Sequence, residues 1–310
     1  MRLVWFGWLA LCGGMVLAGH AGAAPIEAGS IRAVGAESQY ADVISQIGGR
    51  YVQVSAIMDN PNLDPHAFEV SPVVARRIAR ARLIVENGLG YDGWAAKMIA
   101  ATPNRRRIVI NVGALVDQRG KSPLNPHLWY DPRTMPRVAQ AIGAALTRLD
   151  PAHAAYFAAR VQVFDRSLRP WQEAIAAFKA KYHGVTVAVT EPVADDLLTA
   201  MGAHIATPWG LQAAIMNGTD PAPQDVATED NVLRTHKVKI FVYNRQVTDP
   251  LTTSFLRQAA RYHVPVVGVY EIMPHPGFDY QSWMLAETRA FTRAVAAGQS
   301  TRRLVGKRAP

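Results

Sequence analysis

The stretch DPAHAAYFAARVQVFDRSLRPWQEAIAAFKAKYHG, Asp150 to Gly184, decides how the rest of the chain is arranged. Its apolar residues Phe157, Val161, Phe164, Leu168, Trp171, Ile175, Phe178 and Tyr182 alternate in steps of four and three, which lays one continuous stripe along a helix. Asp150 is placed to cap the free amides, and Pro151 stands at the first helical position. Lys179 and Lys181 fall in the last turn, and Gly184 offers a left-handed stop. At about 1.5 Å per residue such a helix reaches roughly 45 Å, the length of a whole small domain, so it reads as a spine joining two halves. Pro170 removes an amide and crowds the preceding turn, so a kink or a break into two helices is expected there.

Outward from the spine, short β-branched runs alternate with helical patterns on both sides. Ahead of it the strands are Ile31 to Ala36, Val52 to Ile57, Leu83 to Glu86 and Ile108 to Val112. The helices between them are Tyr40 to Ile47, Ser71 to Ala81, Gly93 to Ala101 and Thr134 to Leu149, with long loops at Met58 to Val70 and Gly113 to Pro132. Beyond the spine the strands are Val185 to Thr190, Ile205 to Thr207, Ile240 to Tyr243 and Pro265 to Val269. The helices there are Val193 to Met201, Pro223 to His236 after an irregular Gly-Asn-Asp stretch, Pro250 to Tyr262 and Tyr280 to Ala297. This rhythm predicts an α/β fold of two lobes, each with a mainly parallel sheet covered by helices on both faces, joined by one long spine helix. The expected division is 24–149 for the first lobe, 150–184 for the linking helix and 185–310 for the second lobe.

Residues 1–23 read as a cleavable secretory signal: Arg2, an apolar run from Leu3 to Leu17, then the small-x-small pattern Ala21-Gly22-Ala23. The only cysteine, Cys12, lies inside that segment and follows Leu11, not a small residue, which argues against a lipid-anchored cysteine. A mature chain without cysteine excludes thiolate metal sites and disulfides. The expected location is therefore the periplasm. The formal charge of +9 is concentrated at Arg76, Arg77, Arg80 and Arg82, at Arg105 to Arg107 and in the tail Arg302 to Arg308. Export speaks against nucleic acid as the partner, and a solvated face or weak attraction to an anionic membrane surface accounts for the charge.

In open parallel sheets ligands collect beyond the carboxyl ends of the strands. Four residues share that address. His66 lies in the loop after the second strand, His127 in the loop after Val112, Glu191 directly after the strand ending at Thr190, and Glu271 after the strand ending at Val269. Two imidazoles from one half and two carboxylates from the other could close around one divalent ion. Spacing alone leaves the alternatives open: loop histidines are more often solvated, and carboxylates at strand ends often cap the next helix. The proline before each histidine fixes the backbone where a ligand must be held.

The motifs that carry these residues are Asp64-Pro65-His66-Ala67-Phe68-Glu69 followed by the Ser71-Pro72 helix start, Leu83-Ile84-Val85-Glu86-Asn87-Gly88-Leu89-Gly90 with Trp94, and Asn125-Pro126-His127-Leu128-Trp129-Tyr130-Asp131-Pro132. With Gln281-Ser282-Trp283-Met284 near the last helix, their order resembles the periplasmic or surface solute-binding receptors of ATP-binding-cassette importers for zinc and manganese. The resemblance covers nearly the whole mature chain. It implies two α/β lobes joined by a long helix, with one divalent ion, Mn2+ or Zn2+, held in the cleft as transported ligand, and a membrane permease as partner. It also implies a monomer that uses neither nucleotide nor nucleic acid. Carried over by position, His66 and His127 match the two first-lobe histidines, Glu191 falls where relatives carry histidine or glutamate, and Glu271 where they usually carry aspartate. Glutamate at the third position makes the set harder than a three-histidine zinc site, and Val116 to Leu124 holds no histidine; both lean toward manganese, although the intrinsic affinity order favours zinc.

Other features have plainer readings. Gly88-Leu89-Gly90-Tyr91-Asp92-Gly93 satisfies a dinucleotide glycine pattern, but its strand is not the first of the domain, and a tight turn is enough. His275 is expected to be a surface-loop histidine, although its place near Glu271 makes it a possible substitute ligand. Trp129 and Trp283 either shield the cleft or pack against a lobe, and Asp279 is expected to cap the last helix. The rival class is a secreted metallohydrolase with Glu69 or Asp131 as base, although no His-Glu-x-x-His helix is present; a metal buffer or adhesin would use the same four residues.

Overall fold

The computed structural model describes residues 30–62, 65, 68–116, 123–247 and 249–306. The signal segment, His66 and the residues 117–122 lie outside that set.

The first lobe begins with β1 (Ile31–Glu37), α1 (Ser38–Gly48), β2 (Val52–Met58), α2 (Pro72–Arg80), β3 (Leu83–Glu86), α3 (Gly93–Ala101) and β4 (Ile108–Asn111). The short α4 (Val112–Leu115) and α5 (Thr134–Leu149) complete it. Its four strands are parallel in the order β2-β1-β3-β4, with Ala33 opposite both Val54 and Leu83. Side chains alternate between faces, so Ala33, Leu83 and Val85 meet α1 and α5, while Val34, Ile57 and Ile84 meet Ile78 of α2 and Trp94 and Met98 of α3. Both faces are thus covered, which is why the strands read as nearly unbroken apolar runs.

The second lobe repeats the plan. It contains β5 (Thr186–Val189), α8 (Asp195–Ala200), β6 (His204–Ile205), α9 (Trp209–Met216), α10 (Pro223–Arg234), β7 (Ile240–Asn244), α11 (Pro250–Arg261), β8 (Val266–Val269) and α12 (Tyr280–Ala297). The strand order is β6-β5-β7-β8, all parallel. Between the lobes run α6 (Ala154–Ser167) and α7 (Arg169–Tyr182).

The spine is broken where Pro170 requires it: α6 ends at Ser167, Leu168 keeps near-helical angles, and α7 starts at Arg169. One expectation fails at its beginning. Asp150 makes no cap to the amides, because its Oδ2 instead accepts from Nδ1 of His153 at 2.7 Å. Gly184 does take the left-handed conformation, with φ 79. The helix α9 occupies the stretch read as irregular, and α4 and a 3-10 turn at Leu128–Tyr130 interrupt the expected loop from Gly113 to Pro132. No helix among the described residues is long and apolar enough to cross a membrane.

One face of each sheet contributes to a single core that passes through the spine. Val85 and Trp129 of the first lobe, Phe164 and Trp171 of the spine, and Val189, Val269 and Trp283 of the second lobe belong to the same buried cluster. Trp171 also donates its indole N–H to Thr288 of α12 at 2.9 Å. Polar bonds join the lobes around this core: Tyr280 donates its hydroxyl to the Trp129 carbonyl (2.6 Å), and its amide donates to Asp42 (2.9 Å). The packed spine fixes how the two sets of strand ends face each other.

Candidate metal centre between the lobes

His127 is fully buried, and its ring orientation follows from a chain of hydrogen bonds. The amide group of Asn125 donates from Nδ2 to the carbonyl of Pro192 in the second lobe at 2.8 Å. A carbonyl can only accept, so Oδ1 of Asn125 must face His127, where it accepts from the backbone N–H (3.0 Å) and from Nδ1 (2.8 Å). The proton therefore sits on Nδ1, and the Nε2 lone pair points toward Oε2 of Glu271, 3.3 Å away. A lone pair beside a carboxylate calls for a positive centre between them, a proton or a metal ion. Replacing Asn125 by alanine removes the group that sets this tautomer and is expected to weaken divalent-ion affinity by about 10–100-fold. Competition against a chromophoric chelator measures it; unchanged affinity would show that Asn125 does not control the imidazole.

Glu271 is fully buried and Glu191 nearly so. Both emerge at strand ends, Glu191 after β5 and Glu271 after β8, and Asn244 ends β7 between them. Its Nδ2 donates to Oε1 of Glu271 at 2.6 Å and to Oε1 of Glu191 at 3.2 Å, holding two carboxylates near one point. Asn244 Oδ1 accepts from the amide of Gln246, whose Oε1 in turn accepts from the amides of Glu271 (2.6 Å) and Ile272 (2.8 Å). Gln39 of α1 reaches across from the first lobe and donates to the Glu271 carbonyl at 3.1 Å. The repulsion between two buried carboxylates is offset best by a bound cation.

Of the four candidate ligands, the structure puts His127 against Glu271 and links Glu271 to Glu191 through Asn244, and His66 lies outside the described residues. Among the described residues no three His, Cys, Asp or Glu side chains converge tightly enough to enclose an ion. His275 is exposed. Asp131 is engaged by Arg133, which donates to both of its oxygens at 2.7–3.0 Å, and Glu69 is exposed. Trp129 and Trp283 are fully buried in the core, and Trp129 stands edge-on to His127 with centroids 5.5 Å apart. Asp279 caps α12 in a reciprocal capping box with Ser282, as expected. The glycine-rich segment is a turn: Gly88 and Gly90 have φ 79 and 84, and Asp92 accepts from the amides of Asn87 and Gly88.

Several residues around the site have no role assigned from the sequence. Tyr91 packs edge-on against His127 at 5.9 Å, and burial, then the charge of Glu271, pushes its hydroxyl well above the usual range. Glu37, at the end of β1, is pushed well above the carboxylate range by burial and next by the charge of Asp92. Asn125 lies inside the His127 motif without a role of its own there, and Asn244, Gln246 and Glu37 lie in no motif. The one signal that could have found Asn244 and Glu37 is their position as the last residue of a strand.

Two parallel-sheet lobes whose strand ends meet, held by a packed spine in place of flexible crossing strands, match the build of a solute-binding receptor. The chain belongs to the family described as zinc-uptake complex component A, periplasmic (ZnuA), whose sequence model matches residues 34–294. It is 23% identical over 138 residues to the manganese-binding lipoprotein MntA of Bacillus subtilis, covering 43% of this chain and 44% of MntA. It is 22% identical over 222 residues to the iron-binding protein YfeA of Yersinia pestis, covering 67% of each. The periplasmic zinc binding protein TroA from Treponema pallidum shares the fold, with a TM-score of 0.72 at 18% identity, over 87% of this chain and 99% of TroA.

Proposed function

We propose that this protein captures one divalent transition-metal ion outside the cytoplasm and delivers it to the membrane permease of an ATP-binding-cassette importer, with no chemical change to the ion. The carrying observation is the contact between the lobes. An imidazole of the first lobe, its free Nε2 fixed by Asn125, faces a carboxylate of the second at 3.3 Å, both fully buried. His127, Glu191 and Glu271, with His66, are the proposed ligands, two nitrogen and two carboxylate donors. An ion shared by the two lobes ties them together, and the filled form is what the permease reads.

The donor set suits Mn2+ and Zn2+, and the relatives named for manganese, iron and zinc support a divalent ion of this class. Carboxylates at two positions favour the harder Mn2+, while the intrinsic order of affinities favours Zn2+ in any purified sample. The signal segment 1–23 would place the mature chain in the periplasm. Membership of the ZnuA family and the engagement of Asp131 by Arg133 favour binding over hydrolysis.

The test is a titration of stripped mature protein with Mn2+ and Zn2+ at neutral pH. One tightly held ion per chain is expected, with competition ranking the two metals. A chain that takes up neither ion would end the receptor reading.

A further inference from the structure

The sheet of the first lobe has β2 at its edge, and on the face that meets α2 the apolar residues Val34, Ile57, Ile78 and Ile84 pack together. Toward the beginnings of the strands the same face turns polar. Arg32 lies opposite Gln53 and Val34 opposite Ser55, and the two-residue alternation puts Arg32 on the face of Val34, and Gln53 and Ser55 on the face of Ile57. A pocket of about 170 Å³ opens there, lined by Arg32 of β1, Gln53 and Ser55 of β2, and Arg77 and Arg80 of α2.

No Asp or Glu lines this pocket, and the side chains of Arg32, Arg77 and Arg80 make no hydrogen bond or ion pair among the described residues. Arg77 and Arg80 stand three apart in the last turn of α2, neighbours on one helix face. Cations in a last turn ordinarily answer the free carbonyls of the helix end. Here Arg107 does so: its guanidinium donates to the carbonyls of Ile78 (2.9 Å), Ala79 (3.2 Å) and Ala81 (3.3 Å). Arg77 and Arg80 are therefore not needed at the helix end, and their charge is left to the pocket.

We infer that this pocket binds a phosphate group. Guanidinium forks pair with oxyanion oxygens two at a time, so three of them beside a serine hydroxyl suit a ligand with more acceptors than the two oxygens of a carboxylate. The volume admits a phosphate group and falls short of the roughly 300 Å³ at which pockets for whole drug-sized ligands begin. A free phosphate ion and the headgroup of an anionic phospholipid offer the same chemistry, and the formal charge of +9 draws both. Arg32 and Gln53 are the second residues of their strands, so the pocket lies at the opposite end of the sheet from the carboxyl ends of the strands. The site is thus independent of metal capture.

Two arms test it on the mature protein: calorimetric titration with inorganic phosphate, and cosedimentation with vesicles of phosphatidylcholine alone or mixed with phosphatidylglycerol. The parent is compared with Arg77→Gln/Arg80→Gln and with Arg257→Gln/Arg261→Gln, which removes the same charge from exposed positions on α11 of the second lobe. The first variant should bind at least about 10-fold more weakly and the second like the parent. Saturable uptake of one phosphate per chain assigns a soluble anion, and retention on the phosphatidylglycerol vesicles alone assigns a headgroup. A parent that binds neither overturns the inference. So do two variants that lose binding equally, because net charge alone then accounts for it. If Arg77→Gln/Arg80→Gln does not fold, Arg32→Gln decides by the same comparison. Titrations of both variants with Mn2+ and Zn2+ should match the parent, so failure of the phosphate site and failure of metal capture are read separately.

Discussion

Replacing Glu271 by alanine is expected to lower divalent-ion affinity by well over the roughly 100-fold that bounds the loss of an outer-shell partner. This carboxylate is held from several sides. Gln246 fixes its backbone amide, Gln39 its carbonyl, and Asn244 one of its oxygens, leaving Oε2 directed at His127. Each of these bonds places the oxygen before an ion arrives, so little ordering is needed on binding. Alanine removes the second-lobe donor nearest His127 and one of two neighbouring negative charges. Glu271→Gln separates the two effects: its Oε1 can still accept from Asn244, but the charge is gone, and Mn2+ should suffer more than Zn2+ because hard ions depend more on anionic oxygen. The measurement is chelator competition on stripped protein, with circular dichroism to show that both variants keep the fold. If Glu271→Ala binds as tightly as the parent, the ion sits elsewhere.

The sequence makes the scaffold legible because periodicity is local. The stripe from Phe157 to Tyr182, the break at Pro170 and the eight strand positions are all properties of short windows, and all appear in the structure. The helix α9 is missed for the converse reason: Trp209, Leu211, Ala213, Ala214, Ile215 and Met216 leave no polar face to give a period, and Gly210 and Gly218 suggest a loop. Asp150 looks like a cap by position, yet the competing imaginable partner three residues on, His153, takes its carboxylate. The site divides in the same way. His127 is visible because it lies in a marked motif, and Glu191 and Glu271 because they follow strands. Asn244 and Gln246 are ordinary polar residues until the sheet order puts β7 between β5 and β8.

The second large effect is a pH dependence of stability centred on Glu287 of α12. Tyr130, three residues after His127, reaches into the second lobe, where its hydroxyl lies 2.8 Å from the Tyr270 carbonyl and 2.7 Å from Oε2 of Glu287. One hydroxyl proton cannot serve both acceptors. With Tyr130 donating to Tyr270, Glu287 must carry a proton and donate to Tyr130, while its Oε1 accepts from the indole of Trp283 at 2.7 Å. Burial outweighs the bonds from Tyr130 and Trp283 and raises this carboxyl from 4.5 to about 8. A raised folded-state value means the folded protein holds the proton more tightly than the unfolded chain. The contribution is therefore complete below about pH 4.5 and is lost as pH climbs through about 8, at about 1.4 kcal/mol per pH unit between them. Across that window the metal-free parent should lose on the order of 4 kcal/mol through this group. Glu287→Gln cannot ionise, and its amide can still donate to Tyr130 and accept from Trp283. Urea unfolding of both stripped proteins at pH 5 and pH 8 should show the variant gaining on the parent by that amount as pH rises. Glu229 of α10, also raised to about 8 by burial, is common to both proteins and cancels in the difference. A parent-to-variant difference that stays constant from pH 5 to 8 would mean that Glu287 is ionised in the folded protein, and that Tyr130 gives its proton to Glu287, leaving the Tyr270 carbonyl without it.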